Sequence, residues 1–220
     1  MPTMKIDPIP DTELPVSTLP EGRVNESFRI LPKVRVVDLT SSIAGPYATM
    51  LLSDFGAEVI KVERLAGDDA RQWGPPFLDG ESLWFLAVNR NKKSLALDYA
   101  SERGRRVLAA LLDTADVVVT NQLPGVQKKL GHDAATLRAT RPRLIHVSLT
   151  GFGLTGRYAG LPCYDLVAEG YSGVMDLTGP ADAEPQKVGA PAADMLAGAD
   201  AALALPAARR PGRAPASTSL

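Results

Sequence analysis

Apolar and polar positions between residues 34 and 149 fall into two alternating patterns. One is a short β-branched run, seen in Val34-Arg35-Val36-Val37-Asp38-Leu39 and Ala57-Glu58-Val59-Ile60-Lys61-Val62-Glu63, and again at 94–98, 116–120 and 143–149. Such runs predict buried strands. The other is helical. Tyr47, Met50, Leu51 and Phe55 share one face after Ala44-Gly45-Pro46, with Pro46 suited to a first turn and Gly56 to the stop. Val107, Leu108, Leu111 and Leu112 form the stripe of a helix over 102–114, and Asp133 is placed to cap a helix ending at Thr140. Pro124-Gly125 reads as a turn. Strands alternating with helices predict an α/β fold: an open, mostly parallel, Rossmann-like sheet with helices on both faces. Ligands bind beyond the carboxyl ends of the strands in such sheets. That rule gathers Ser41–Ala44, Arg64, Asn121 and Thr150–Gly153 at one rim.

The flanks break the pattern. Residues 1–31 carry Pro8, Pro10, Pro15 and Pro20 and no apolar block, which predicts a disordered arm and no secretory signal. A helical pattern runs from Asp194 to Leu205, where Pro206 should end it, and residues 206–220 have no apolar period. The folded domain is therefore expected over 32–205. Hydrophobic residues make up 45% of the 220-residue chain, enough for a sizeable core. The formal charge is −1, without any block of five like charges, so neither nucleic acid nor an anionic membrane is an expected partner. No apolar run approaches the ~18 residues of a membrane span. The lone Cys163 excludes an internal disulfide and fits a reducing compartment, so the expected location is cytoplasmic.

Asp194 is a single carboxylate within Val188-Gly189-Ala190-Pro191-Ala192-Ala193-Asp194-Met195, among small residues at a helix start. It could cap that helix, lie solvated on its edge, or act as a nucleophile toward an acyl group. Local sequence favours the cap. Gly151-Phe152-Gly153-Leu154-Thr155-Gly156 matches GxGxxG after a strand, but Gly160 and Pro162 leave no room for the long helix of a dinucleotide site, so these glycines shape a loop.

The order of several segments carries more information. Asp38-Leu39-Thr40-Ser41-Ser42-Ile43-Ala44-Gly45-Pro46, Gly56–Glu63, Asn89-Arg90-Asn91-Lys92-Lys93-Ser94-Leu95, Asp116–Asn121, Gly151-Phe152-Gly153 and Tyr164-Asp165-Leu166-Val167 together resemble family III CoA-transferases, from about Val34 to Leu205. The resemblance implies that Asp194 is the acyl-accepting aspartate, which turns the preference from cap to nucleophile. It implies that Ser42, Ile43, Ala44 and Tyr164 line the coenzyme path, and that Arg64, Leu97, Asn121 and Lys129 serve its nucleotide end. Lys129, beside Lys128, reads equally well as a solvated charge. Gln122 departs from the family's usual aromatic, which removes one adenine-stacking contact. Coenzyme A enters as a thioester substrate with a carboxylic acid acceptor, and no permanently bound cofactor is implied. The family also includes α-methylacyl-CoA racemases, whose histidine position is Tyr164 here; a phenol with a pKa near ~10 is a poor base at neutral pH. His132 and His146 lie in a turn and a strand, away from that position. Two classes remain: a CoA-transferase, and a non-catalytic CoA- or nucleotide-binding module. Family members are longer, with a second domain and interlocked homodimers. The chain is thus expected to be truncated or frameshifted near Leu205, with a natural short form as the alternative. Leu196, Leu203 and Leu205 are then expected to lack packing.

Overall fold

The computed structural model describes residues 30–208 and 218–219. Six strands form one parallel sheet: β1 (Arg35–Asp38), β2 (Glu58–Glu63), β5 (Lys92–Ala96), β6 (Val117–Thr120), β7 (Ile145–Ser148) and β8 (Thr218–Ser219), in the spatial order β5-β2-β1-β6-β7-β8. A two-stranded hairpin, β3 (Phe77–Leu78) with β4 (Glu81–Ser82), stands apart. The helices are α1 (Ala44–Asp54), α2 (Leu83–Asn89), α3 (Glu102–Asp113), α4 (Pro124–Leu130), α5 (Ala134–Thr140), α6 (Asp165–Ser172) and α7 (Ala192–Ala208). The chain winds outward from β1 through β2 to β5, then returns to β6 on the other side of β1. The strand order therefore reverses between β1 and β6, and the loops leaving these two strands diverge to open a crevice.

Strand period decides which face each residue covers. Val36, Val117 and Val119 face α1 and α7 in a core that includes Ala48, Leu52, Val147, Ala201, Ala202 and Leu205. Their neighbours Val37 and Val118 face the other way, into a core with Leu108, Leu112 and Leu137. Both faces of the parallel sheet are thus covered, as buried strands require. Helix α7 lies directly on α1. A Cβ on Gly198 would come within 2.6 Å of the Ala44 carbonyl oxygen, so only glycine permits this approach.

Several expectations change. Leu205 is fully buried rather than short of packing, because α7 covers the sheet; Leu196 and Leu203 do face outward, each 68% exposed. The helix continues through Pro206 to Ala208. Pro124-Gly125 opens α4 instead of making a turn, since proline at a first helical position forfeits no hydrogen bond. Val107 is exposed, and the stripe of α3 reduces to Leu108 and Leu112 with half-buried Leu111. In α1 the buried face is Ala48, Met50 and Leu52, while Tyr47, Leu51 and Phe55 are half-buried. Asp133 does cap α5, accepting the Thr136 N–H at 3.1 Å. The predicted arm at 1–31 lies outside the described residues up to position 29, and most of the predicted tail, 209–217, lies outside them as well.

Candidate active site

A cavity of about 420 Å³ opens at the crevice where the strand order reverses. Three loops build its walls. The loop after β1 gives Ser41, Ser42 and Ala44; that after β6 gives Asn121, Gln122 and Leu123; the segment after β7 gives Leu149, Thr150 and Gly151. Helices α6 and α7 close the side with Tyr164, Ala168, Ala193, Asp194 and Ala197. Asp194 is the only carboxylate in this lining.

Asp194 occupies the third position of α7, where a carboxylate could bond its own helix start. It does not need to. Asp165, at the start of α6, reaches across and accepts the N–H groups of Ala193 at 2.9 Å and Asp194 at 3.3 Å. Asp165 is therefore the cap of α7, and the Asp194 side chain is left for the cavity. Burial, reinforced by the charge of Asp165, raises the Asp194 pKa from 3.8 to about 6, and the backbone N–H of Ala44 opposes the rise. At neutral pH the group is ionised but only partly solvated, a state suited to nucleophilic attack. Cys163 sits beside it as a neutral thiol, its pKa pushed up by burial and by the charges of Asp194 and Asp165. A Cβ on Gly151 would strike the Cys163 side chain, which explains glycine at that position.

The structure brings Ser42, Ala44, Asn121, Tyr164 and Asp194 together around one cavity. The other expected residues lie elsewhere. Ile43 is buried at the cap of α1. Leu97 packs on the core beneath α3. Arg64 pairs at the surface with Asp69, at 2.6 Å, and Lys129 is exposed on α4. Asn121 lines the cavity, but both ends of its amide are engaged: Oδ1 accepts the Ser41 N–H at 3.1 Å and Nδ2 donates to the Ser41 carbonyl at 2.8 Å. Residues 151–156 contain no helix, and Gly153 and Gly156 take positive φ, so the GxGxxG match is a loop. Sequence reasoning placed Thr150 at this rim, as found, and missed the contribution of the Gln122 side chain and the capping role of Asp165. The side-chain oxygens Thr150 Oγ1 and Gln122 Oε1 are buried without a hydrogen-bond partner among the described residues. Neither histidine lines the cavity; both are buried. No group of three His, Cys, Asp or Glu residues able to hold a metal occurs among the described residues, and no helix among them is long and apolar enough to cross a membrane.

Known proteins with the same features are numerous. The model of CoA-transferase family III matches residues 31–214. Succinyl-CoA:glutarate CoA-transferase of Mus musculus is 45% identical over 174 residues, which is 79% of this chain and 40% of the relative. Succinate–glutarate CoA-transferase of Agrobacterium fabrum is 43% identical over 81% of this chain and 46% of its own length. A crystal structure of a CAIB/BAIF family protein from Brucella suis superposes with a TM-score of 0.78 at 43% identity, covering 81% of this chain and 48% of that one. The chain thus spans less than half the length of these relatives.

Proposed function

The chain belongs to CoA-transferase family III, and on that premise we propose that it supplies the acyl-accepting site for transfer of coenzyme A from an acyl-CoA thioester to a carboxylic acid. The observation that carries this reading is Asp194: one carboxylate, partly desolvated, in a cavity otherwise lined by neutral groups. An Asp194 oxygen attacks the thioester carbonyl carbon. The new C–O bond forms as the C–S bond breaks, leaving a mixed anhydride and free CoA thiolate. The thiolate then attacks the Asp194 carbonyl carbon and expels the donor as a carboxylate, which leaves an aspartyl-CoA thioester. The acceptor carboxylate reverses both steps, and no net proton is consumed.

The residues support each stage. Small neighbours Ala193 and Ala197 leave Asp194 accessible. The Ala44 N–H already reaches its carboxylate, and such a donor stabilises an oxyanion developing there. Thr150 and Gln122 add neutral polar side chains to the cavity wall. Relatives named for succinyl-CoA make it the first donor to test. The test is covalent. Incubation with succinyl-CoA followed by hydroxylamine should place a hydroxamate on Asp194, located by peptide mass spectrometry. No label at Asp194, or equal label in Asp194→Ala, overturns the reading and leaves a binding module. Histidine-dependent racemisation finds no histidine in this cavity.

A further inference from the structure

The loop between β1 and α1 is anchored by Lys61 and Asp68, which take no part in the cavity, and by Asn121, which lines it. Thr40 directs its carbonyl to Lys61 Nζ at 3.0 Å. Ser41 is clamped through both backbone groups by Asn121. Ser42 donates its N–H to Asp68 Oδ1 at 3.1 Å. Lys61 and Asp68 themselves pair at 2.8 Å, with both side chains 1% exposed. The pair is Coulombic, since Asp68 Oδ2 has no aligned hydrogen bond while Lys61 directs its own to Thr40. Ion pairs this buried add little net stability, because desolvation offsets the attraction. A role in conformation is the better account of this one.

The conformation it holds is unusual. Ser42 has φ +68°, a left-handed backbone that L-residues adopt only when their surroundings impose it. Asp68 imposes it from one side. Asp68 is fixed in turn: its N–H donates to Glu63 Oε2 at 3.0 Å, and its Oδ1 also accepts the Ala70 N–H. Glu63 is held by a two-pronged bond from Arg71 at 2.7 and 2.8 Å. The chain of contacts runs Arg71, Glu63, Asp68, Ser42. Two residues after Ser42 stands Ala44, which lines the same cavity as Asp194 and whose backbone N–H acts to lower the Asp194 pKa.

We propose that Asp68, with Lys61, is a positioning pair for this site. It twists the β1–α1 loop at Ser42 and so holds Ser42 and Ala44 in the cavity wall that they share with Asp194. The inference takes Asp194 as the reacting group, but its test reads the titration of that group and needs no turnover. Removing Asp68 lets Ser42 relax and withdraws the Ala44 donor, which favours the ionised form of Asp194. The Asp194 titration midpoint should therefore move up by roughly half a unit to one unit. Simple electrostatics has the opposite sign: deleting one anion and leaving Lys61 unpaired would move the midpoint down. Asp165 and Cys163, whose electrostatics are tied to Asp194, are retained, as is Tyr164 in the same cavity wall.

The measurement is a carboxyl-carbon NMR titration of Asp194 in the wild-type chain, in Asp68→Ala and in Ser42→Val. The second variant leaves the buried pair intact and places a β-branched residue where φ is positive, so it keeps the test alive should Asp68→Ala fail to fold. An upward shift in Asp68→Ala supports the pair as a positioning device, and one in Ser42→Val supports the tie between the Ser42 backbone and Asp194. A midpoint unchanged or lowered in the folded variants overturns it. Hydroxamate labelling of Asp194 fails or succeeds independently of this result.

Discussion

Replacing Asp194 with asparagine should stabilise the protein, and only above a certain pH. The folded state raises the Asp194 pKa from 3.8 to about 6, first through burial and then through the charge of Asp165. Folded protein therefore holds a proton on this group over a window where unfolded chain has released it. Its contribution to stability is fully present below the unfolded pKa and is lost as pH rises through about 6. Two units correspond to about 3 kcal/mol, at about 1.36 kcal/mol per unit. Asp194 is partly exposed, so solvent screening reduces this to about 1–2 kcal/mol. Asparagine is nearly the same shape, remains neutral, and leaves the backbone bond to Asp165 in place. Urea unfolding followed by fluorescence of Trp73 and Trp84 would give the difference. At about pH 7.5 the variant should be more stable by about 1–2 kcal/mol, and at about pH 4 the two proteins should nearly coincide. A gain of equal size at both pH values, or a loss at the higher one, would refute the claim that a buried charge is the cause.

Two further outcomes follow from the packing. His146 is buried with neither ring nitrogen partnered among the described residues, and burial lowers its pKa to about 4. Its contribution is present above the unfolded value near ~6.5 and is lost as pH falls through about 4, so His146→Leu should reduce acid unfolding by up to about 3 kcal/mol; an unaltered acid limb in a pH series of urea midpoints counts against this. Gly198→Val should cost roughly 1–3 kcal/mol by forcing α7 off α1, read as a lowered urea midpoint with an unchanged m-value; wild-type stability would mean the helices are not in backbone contact.

The β1-α1-β2 unit was legible because its signals are local. Val36 and Val37 alternate between two cores, Gly56 ends α1 with φ +94°, and Asp133 caps α5 in the predicted manner. The helices α2, α4 and α6 were not legible. Each has at most eight residues, too few for a helical stripe to stand out. The rim residues Ser42, Ala44 and Asn121 could be placed because each follows a predicted strand, and Asp194 could be named because the resemblance singles out its segment. The cap at Asp165 could not, since its partners lie 28 and 29 residues away and no local pattern links them. Lys61 read as an ordinary polar position in a strand, and only the fold brings Asp68 and Thr40 to its ammonium group.

The contact between Gly198 and Ala44 also limits how this cavity can change. One wall of the cavity is α7 and the opposite lip is the start of α1, and here they touch backbone to backbone. Apart from the Tyr47 ring packed beside Gly198, no side chain stands at this contact, so there is little on that side to trim. A wider mouth on that side requires two packed helices to separate. On the proposed function, room for a bulkier acyl group would come instead from the irregular segment that supplies Leu161, Pro162 and Tyr164, where Leu161 and Tyr164 are already exposed. Selection for altered acyl range should therefore collect its substitutions between Leu161 and Tyr164 and leave the helix pair unchanged.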